Sequence, residues 1–361
     1  MNKLLRIVSF NPGCMPIGSA MTTAVFLVLF MGTLQLCAQQ MPEVYIAPKL
    51  SVPVEIDGEA EHLWDAIPFT KDFTDIEGDK VPRYQTRMKM AWDDQYLYFY
   101  AELQEPHVWG TLHQRDTIIF YNNDFEIFID PDGDTHNYME FEMNALNTVW
   151  DLWLVKPYRA GGPIIDNWDI KGLKTAVSVQ GTINDPGDVD KGWTLEVAMP
   201  WSALLESDPT GKIPVDRFYR INFSRVNWDH EIDGKKYSRK KDENGKYLRE
   251  YNWVWSPQGV INMHEPEHWG YVYFSENPEN DKDVTPDVDE VLKRKLYELW
   301  RKQHRLHRGK QQETPETIAI EGKTMQAHVV DHKAGWYLWV ESPFSQKTMI
   351  IDQDGKYTEN K

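Results

Sequence analysis

Carboxylates, amides and tryptophans are concentrated in residues 122–153, which read NNDFEIFIDPDGDTHNYMEFEMNALNTVWDLW. Polar and apolar residues alternate along two strand-like runs, and successive strand side chains point to opposite faces of a sheet. One face of the predicted sheet is therefore apolar, and the other carries carboxylates and amides beside indole rings. Flat rings can stack on the C–H face of a sugar while polar groups bind its hydroxyls. This chemistry predicts a sugar-binding surface.

The polar face draws on strand-like runs from several parts of the chain. The candidate hydroxyl-binding residues are Asp124, Glu126, Glu140, Glu142, Asn144, Arg220 and Asn222. An ordinary solvated face is the alternative interpretation, because antiparallel sheets commonly present one polar side to water. Such a face would hold mostly Lys, Glu and Thr, so amides and an arginine among the carboxylates favour a binding site.

Four tryptophans occupy loop-like or strand-end positions and are the candidate aromatic clamp: Trp109, Trp150, Trp153 and Trp168. Five others lie in framework motifs and are expected in the core, namely Trp64, Trp92, Trp193, Trp201 and Trp269. A typical tryptophan is mostly buried, so core packing is the alternative for each clamp candidate as well.

The acidic turn at 130–134, DPDGD, permits two interpretations. Asp130, Asp132 and Asp134 could supply hard oxygen ligands to a calcium ion, or the segment could be a plain Asx–Gly hairpin turn. It is not an EF-hand loop, because glycine comes fourth and the twelfth residue is Phe141 rather than glutamate. The histidines show no HExxH spacing, which argues against catalytic zinc. We expect no required cofactor, with structural calcium as the open alternative.

Two further functional hypotheses follow from the same residues. A glycoside hydrolase needs two carboxylates roughly 5–10 Å apart, and Glu140 and Glu142 could form such a pair. Acid-rich sheets supply pairs of this kind by chance, so the main hypothesis assigns no catalytic residue and is non-catalytic binding. The third hypothesis is a surface assembly protein that binds an envelope protein through a C-terminal helix.

The net charge of the chain restricts the class of ligand that it is expected to bind. The chain carries a net charge of −17. It has two bases and no acids in its first 38 residues, so the remainder carries 37 − 56 = −19. Nucleic-acid binding needs a basic surface and is therefore disfavoured. The expected ligand is a polysaccharide or oligosaccharide without negative charge.

Residues 1–38 have the pattern of an export signal. Lys3 and Arg6 precede an apolar run over residues 21–36, and cleavage is expected after Ala38. The apolar run is too short for a comfortable membrane span. The protein is expected in the periplasm, at the cell surface or outside the cell. A lipoprotein anchored at Cys37 is the alternative, although Leu36 before it is larger than usual. The only cysteines, Cys14 and Cys37, lie in this segment, so the exported protein would have no disulfide.

The elements that must position these residues are mostly short strands. Regular β runs separated by Asp/Gly turns predict an all-β fold, an antiparallel β-sandwich, over residues 39–278. Residues 279–312 are expected to form a polar linker and an amphipathic helix that docks on the sandwich by its apolar stripe. Residues 313–361 are expected to form a small β tail.

Several segments, in order, resemble carbohydrate-binding module family 9 in its single-module bacterial form. They include VEIDGEAEHLWDAIP (54–68), MKMAWDDQYLYFYAEL (88–103), DFEIFIDPDGD (124–134), GWTLEVAMPWSAL (192–204) and HEPEHWGYVYF (264–274). The resemblance covers about residues 50–275 and implies a β-sandwich that binds polysaccharide chains or their ends. It also implies a sugar held between two aromatic rings, hydroxyl recognition by polar side chains, and structural calcium. Such modules occur attached to xylanases, which makes xylan- or glucan-like ligands the expectation.

Overall fold

The computed structural model describes residues 41–308 and 316–360. The predicted export signal, with Cys14 and Cys37, lies outside the described residues, as do residues 309–315 between the predicted helix and the β tail. Met41–Lys361 form one compact unit. Within the described ranges, no helix combines the length and the apolar character needed to cross a membrane.

Strands dominate the described residues. In chain order they are β1 Val44–Pro48, β2 Thr74–Asp75, β3 Thr86–Trp92, β4 Tyr96–Gln104, β5 Asp124–Asp130, β6 Tyr138–Asn144, β7 Val149–Leu154, β8 Ile164–Ile165, β9 Lys174–Gln180, β10 Gly192–Pro200, β11 Phe218–Asn227, β12 His230–Asp233, β13 Lys236–Arg239, β14 Tyr251–Val254, β15 Gly270–Ser275, β16 Thr317–Ile320, β17 Lys323–Gln326, β18 His328–His332, β19 Gly335–Glu341, β20 Thr348–Asp352 and β21 Tyr357–Asn360. The α-helices are α1 His62–Asp65, α2 Trp201–Leu204 and α3 Val288–Arg308. Short 3₁₀ turns cover Ile119–Tyr121, Tyr158–Ala160 and Pro266–His268.

Two sheets of the described region form a sandwich. The larger sheet has the order β1-β15-β11-β5-β6-β7-β8, with β14 paired to β11 and β2 paired to β14. The smaller sheet has the order β3-β4-β10-β9. All of these pairs are antiparallel except β1 with β15, which is parallel. The predicted antiparallel β-sandwich is confirmed.

The core between the sheets follows from the period-two pattern. Phe125, Ile127 and Ile129 of β5 point into it and are at most 1% exposed. The partner strands supply Phe141 and Phe223 to the same core. Of the tryptophans expected to be buried, the four that join this core are Trp64, Trp92, Trp193 and Trp201. The fifth, Trp269, is fully buried on the opposite side of the larger sheet.

A second, smaller core covers part of that opposite side, here called the outer face of the larger sheet. Its members come from β5, β6, β7 and β14 and from the loops at residues 76 and 263–269, and they are Ile76, Phe128, Tyr138, Leu152, Leu154, Val254, Met263 and Trp269. The outer face is therefore packed under loops instead of lying open to water.

The C-terminal helix packs differently from the prediction. The apolar side chains of α3 form a core with the β tail, and they include Leu292, Leu296 and Trp300. The apolar stripe is thus buried against the tail and not against the sandwich, because the tail sheet offers α3 an apolar face of its own, with Leu338, Val340 and Ile351.

The other side of α3 meets the sandwich through ion pairs. Arg301 lies 2.7 Å from Glu265 and 2.5 Å from Glu267, and Glu267 also binds Arg159 at 3.0 Å. Burial would raise the pKa of Glu267, but the guanidinium groups of Arg159 and Arg301 hold it far below its ordinary value. The carboxylate therefore stays ionised and ties α3 to the sandwich.

Candidate functional site

Four carboxylates of β5 and β6 lie together on the outer face. In the strand register Glu126 faces Glu142 directly, Asp124 faces Asn144, and Glu140 faces Phe128. Asp124, Glu126 and Glu142 each place a carboxylate oxygen within 4.8 Å of the others. We call Asp124, Glu126, Glu140 and Glu142 the carboxylate cluster. The sequence prediction that these side chains share one face is confirmed by this register.

The carboxylate cluster is buried, however, and this differs from both interpretations of the sequence. Its most exposed member, Glu126, shows only 5% of its surface. A solvated outer face is therefore excluded, and a sugar could not lie directly on these carboxylates as an open floor. Loops packed over the sheet produce this burial, and the alternation pattern of the strands carries no information about such loops.

Burial and mutual repulsion change the protonation of the cluster. Burial raises the pKa of Glu126 to about 7. It also raises the pKa of Asp124, Glu140 and Glu142 well above the ordinary range, and the neighbouring carboxylates add to the effect. Burial and mutual repulsion thus favour the protonated carboxyl, and a protonated carboxyl can donate a hydrogen bond.

Aromatic side chains surround the cluster on one side. The backbone amide of Phe120 donates to Glu142 Oε2 at 2.9 Å, and the rings of Phe120 and Tyr121 lie 4.7 Å apart. Tyr121 is 41% exposed. Trp150 faces Glu142 across the β6–β7 pair and is half-buried. Trp150 and the backbone of Phe120 thus lie next to the buried carboxylates, and the Arg239 guanidinium lies over the neighbouring Tyr121 ring at 4.2 Å.

Tyr158 and His264 form the other side. Their rings meet edge to face at 4.3 Å, and Tyr158 is 46% exposed. His264 bonds to the Tyr138 hydroxyl at 3.0 Å through Nδ1 and lies 3.8 Å from Glu140 through Nε2. Burial lowers the pKa of His264 to about 3, so the imidazole is neutral. Burial, and then Glu140 and Glu142, raise the pKa of the Tyr158 hydroxyl, which places that hydroxyl in the field of the cluster.

We call Phe120, Tyr121, Trp150, Tyr158 and His264 the aromatic rim. Sequence reasoning identified only Trp150 among them. Phe120 and Tyr121 stand directly before the acidic strand, and this adjacency was a usable signal. Tyr158 and His264 come from distant loops and reach the site only through the fold.

Three predicted hydroxyl-binding residues are occupied by protein contacts. Asn144 accepts from the amides of Leu146 and Thr148, both at 3.0 Å. Asn222 bonds the amide and the carbonyl of Ser256 at 3.0 and 2.9 Å.

Arg220 donates to the Tyr271 hydroxyl at 2.8 Å and to the Glu267 carbonyl at 3.1 Å, and it lies 3.7 Å from Glu290. In this structure Asn144, Asn222 and Arg220 therefore hold turns, loops and α3 in place and do not face a ligand. Their polar side chains form hydrogen bonds with backbone groups that the covering loops bury at the outer face.

Trp109 is buried in a small core, against which Phe120 of the rim packs, and it offers no open surface. It is 2% exposed and stacks on Tyr237 at 6.2 Å with an interplanar angle of 6°. The prediction put this ring at the sugar surface, but the β12–β13 hairpin supplies an internal partner for it.

Trp153 and Trp168 form a separate pair. Trp150 and Trp153 lie on opposite faces of β7, and Trp153 packs on the inner core. Trp168 meets Trp153 edge to face at 5.5 Å, and its indole donates to Glu206 at 2.9 Å. An open groove of about 580 Å³ runs beside Trp168, and Arg115, Asp169 and Lys171 contribute to its lining. The four clamp candidates are thus not brought together at one site.

The acidic turn is held by its own hydrogen bonds and faces two lysines. Asp130 accepts from the amides of Gly133 and Thr135 at 3.0 and 2.9 Å. Gly133 has φ +66°, and a Cβ at that position would lie 3.3 Å from Lys293 Nζ. Lys356 Nζ lies 3.1 Å from Asp134.

The three aspartates of the turn can bring their oxygens within 4.8 Å of one another. The ammonium groups of Lys293 and Lys356 already supply positive charge to them, so the turn is a weak fit for calcium.

The family comparison matches the sandwich. The sequence model of the family described as "Carbohydrate family 9 binding domain-like" matches residues 56–275. The match contains the carboxylate cluster and the whole aromatic rim, and it ends before α3 and the β tail.

Two curated relatives match part of the chain. Endo-1,4-beta-xylanase A of Thermoanaerobacterium saccharolyticum is 26% identical over 156 residues, which are 43% of this chain and 11% of that protein. Exoglucanase XynX of Acetivibrio thermocellus is 24% identical over 204 residues, which are 56% of this chain and 15% of that protein. The chain thus spans only a small part of the length of these relatives.

Solved structures give a weaker likeness. A proposed carbohydrate-binding protein of Bacteroides uniformis has a TM-score of 0.48 and 18% identity, covering 64% of this chain and 99% of that one. A family 9 carbohydrate-binding module of Caldicellulosiruptor kristjanssonii, solved with cellotriose, has a TM-score of 0.44 and 17% identity, covering 68% and 99%.

Proposed function

The chain belongs to the carbohydrate family 9 binding domain-like family, and from this premise we propose that it captures neutral polysaccharide at the aromatic rim. The observation that carries the proposal is the position of the rim. Tyr121 and Tyr158 expose 41% and 46% of their surface beside a face of buried carboxylates. Exposed rings next to fixed polar groups suit a sugar, whose C–H faces stack while its hydroxyls bond.

In the proposed mechanism, the aromatic rim and the carboxylate cluster have different roles. The rings provide contact area at low conformational cost, because an aromatic side chain has few rotatable bonds. The cluster lies beneath the rim, and its partly protonated carboxyls set the electrostatic field at the Tyr158 hydroxyl. The Tyr158 hydroxyl is the group best placed to meet sugar hydroxyls, because His264 Nδ1 bonds the Tyr138 hydroxyl and His264 Nε2 faces Glu140. Trp150 adds a half-buried ring opposite Glu142.

The ligand class rests on charge and on the names of the relatives. A chain of net charge −17 repels polyanionic sugars. The curated relatives are named a xylanase and an exoglucanase. We therefore propose β-linked xylan- or glucan-like chains, or the ends of such chains, as the ligand.

A glycan array on residues 39–361 tests the ligand class. We expect signal for neutral xylo- or cello-oligosaccharides and none for sulfated or uronic-acid-rich glycans. Tyr158→Ala, applied to an identical array, should lose that signal. Tyr337→Ala changes a half-buried tyrosine of the β tail and should keep the signal. Silence of the wild-type protein across all neutral glycans would contradict the proposal.

Hydrolysis is the second candidate, because carboxyls with a raised pKa can act as general acids. The cluster offers such groups in Glu126, Glu140 and Glu142. Their burial leaves no room for a sugar between them, so we favour binding. Release of reducing ends from xylan or β-glucan by the wild-type protein, abolished in Glu142→Gln, would reverse this order.

Export and a protein partner belong to the proposal as well, whereas calcium at the acidic turn is the weaker alternative and is not required. Residues 1–38 support export to the periplasm, cell surface or medium through their charge and apolar pattern. Calcium, if bound, would use the oxygens of Asp130, Asp132 and Asp134. An envelope partner on α3 would have to meet its exposed residues, such as Lys295, Glu298 and Arg305, since the apolar side is packed in the tail and the ionic side meets the sandwich.

A further inference from the structure

The β tail carries a groove that the family match does not reach. It lies between the β16–β17 hairpin and the outward side of β18–β19, and its volume is about 610 Å³. This volume falls within the range of small-ligand sites, about 300–1,000 Å³. The lining residues that matter here are Gln326, His328, Trp339, Glu341 and Gln346.

Trp339 is held as a flat surface in this groove. Its ring and that of His328 stack at 4.3 Å with an interplanar angle of 20°. The two residues face each other in the β18–β19 register, so both backbone and ring contacts fix the indole. Trp339 nevertheless remains half-buried, whereas Trp336 and Leu338 on the other side of β19 are packed against α3.

Polar groups of both hydrogen-bonding types surround the indole. Gln346 provides an amide donor and acceptor, and the exposed Glu341 provides acceptors. Gln326 provides its amide oxygen, because its Nε2 donates to the carbonyls of Glu316 and Ala327 at 3.5 and 3.3 Å. The groove thus combines one oriented ring with several neutral polar groups and one negative charge. Such a lining suits an uncharged, hydroxyl-rich chain and disfavours an anionic one.

We propose that this groove is a second glycan contact, which binds another segment of the same neutral polysaccharide that the aromatic rim captures. The inference rests on the proposed function, since it takes the ligand class from there. Two contacts on one chain raise apparent affinity for a polymer without changing affinity for a fragment that reaches only one of them.

The test compares a polymer with a fragment. Soluble xylan and hydroxyethylcellulose are the polymers, and xylotriose and cellotriose are the fragments. Trp339→Ala should weaken polymer binding at least tenfold in affinity electrophoresis, while calorimetric affinity for the fragments changes less than twofold. Glu341→Ala, at an exposed position, should weaken polymer binding in the same direction with little effect on folding. Tyr337→Ala is the matched control, because Tyr337 lies on the same face of β19 outside the groove.

The outcomes separate the two proposals. If Trp339→Ala and Glu341→Ala both bind polymer with wild-type affinity and fragment binding is intact, the second glycan contact is wrong. The proposed function at the aromatic rim is not affected by that result. Loss of polymer binding in Tyr337→Ala to the same degree would also overturn it, because the effect would then not belong to the groove. A wild-type protein that binds neither polymer nor fragment would overturn the proposed function together with this inference.

Discussion

At the scale of single residues, the carboxylate cluster is the least ordinary feature of the molecule. Four acids on neighbouring strands are buried together, and like charges in a medium of low dielectric constant oppose ionisation. Folding therefore favours their protonated forms. This linkage makes the stability of the protein depend on pH in a direction that can be stated beforehand.

Glu126→Gln tests this linkage. The pKa of Glu126 is about 7 in the folded protein, against 4.5 ordinarily, so the folded state binds the extra proton between these values. Stability from this group is full below pH 4.5 and is lost as pH rises toward 7, which amounts to about 3 kcal/mol. The loss of stability between pH 5 and pH 8, measured by urea unfolding, should be smaller by about 2.5 kcal/mol in Glu126→Gln than in wild type, because this window covers most of the titration. Glu279→Gln, at an exposed position, should leave the wild-type difference unchanged. An identical pH difference in wild type and Glu126→Gln would contradict the buried cluster.

Lys293→Gln tests whether lysine replaces calcium at the acidic turn. Lys293 is 5% exposed, stands beside Gly133 and lies 3.9 Å from Glu290, so its loss removes positive charge from the surroundings of Asp130 and Glu290. We expect the free energy of unfolding to fall by about 2 kcal/mol. Wild-type Tm should be the same in EDTA and in millimolar calcium. A wild-type Tm that drops in EDTA would show that the turn holds the metal after all.

At the scale of elements, α3 has two unlike sides. One side is apolar and packs with the β tail, and the other is ionic and meets the sandwich through Arg301 and Glu290. The periodicity of α3 correctly predicted a helix near residues 287–310, because an apolar stripe at helical spacing is a local property. It could not identify the partner of that stripe, because two apolar surfaces, sandwich and tail, were equally compatible with the pattern.

Arg301→Met tests the ionic side of α3. The substitution leaves buried Glu267 with Arg159 as its remaining arginine partner, and breaking a buried pair costs about 3–5 kcal/mol when nothing compensates. Because Arg159 stays, we expect about 2 kcal/mol of lost stability in urea unfolding. Arg305→Met is the matched control on the exposed side of the same helix and should change stability by less than about 0.5 kcal/mol. Equal effects of the two substitutions would refute the role of the ion pairs.

For the strands, too, the local sequence pattern predicts some features of the structure and not others. Alternation placed Asp124 and Glu126 opposite Phe125 and Ile127, and the structure agrees. The two-residue alternation predicts which side chains share a face of the sheet, but it carries no information about what covers that face. Tyr158 and His264 lie more than a hundred positions apart in sequence and meet only when the loops fold over the sheet. Tyr158 and His264 were therefore beyond sequence reasoning, whereas Trp150 was predicted and Phe120 and Tyr121 carried a local signal.

At the scale of the whole molecule, the sandwich and the tail are expected to unfold together. Both Arg220 and Tyr271 of the sandwich contact Glu290 of α3, and the tail strand residue Tyr357 donates its amide to Asp134 at 3.1 Å. Contacts of this kind couple the stabilities of two cores. Calorimetry of residues 39–361 should show one transition whose calorimetric and van't Hoff enthalpies agree. Two resolved transitions would show that the tail is an independent domain.

Residues outside the family match also contribute charged contacts to the sandwich, so the match alone does not define the electrostatics of the site. The family match ends at residue 275, yet Lys293, Glu290 and Arg301 from beyond it complete the electrostatics of the sandwich. The sandwich itself was predictable because its segments occur in a recognisable order. The placement of the tail, and hence the position of Lys356 beside the acidic turn, depends on tertiary contacts that no local pattern records.

The most direct measurement of the central claim is isothermal titration of the best neutral oligosaccharide from the array into wild type, Tyr158→Ala and Trp168→Ala. The two variants remove rings from two different surfaces, the aromatic rim and the groove beside Trp168. We predict that Tyr158→Ala weakens binding by at least tenfold, equivalent to about 1.4 kcal/mol, and that Trp168→Ala binds like wild type. Strong loss in Trp168→Ala with unchanged affinity in Tyr158→Ala would contradict the account and move the sugar site away from the carboxylate cluster.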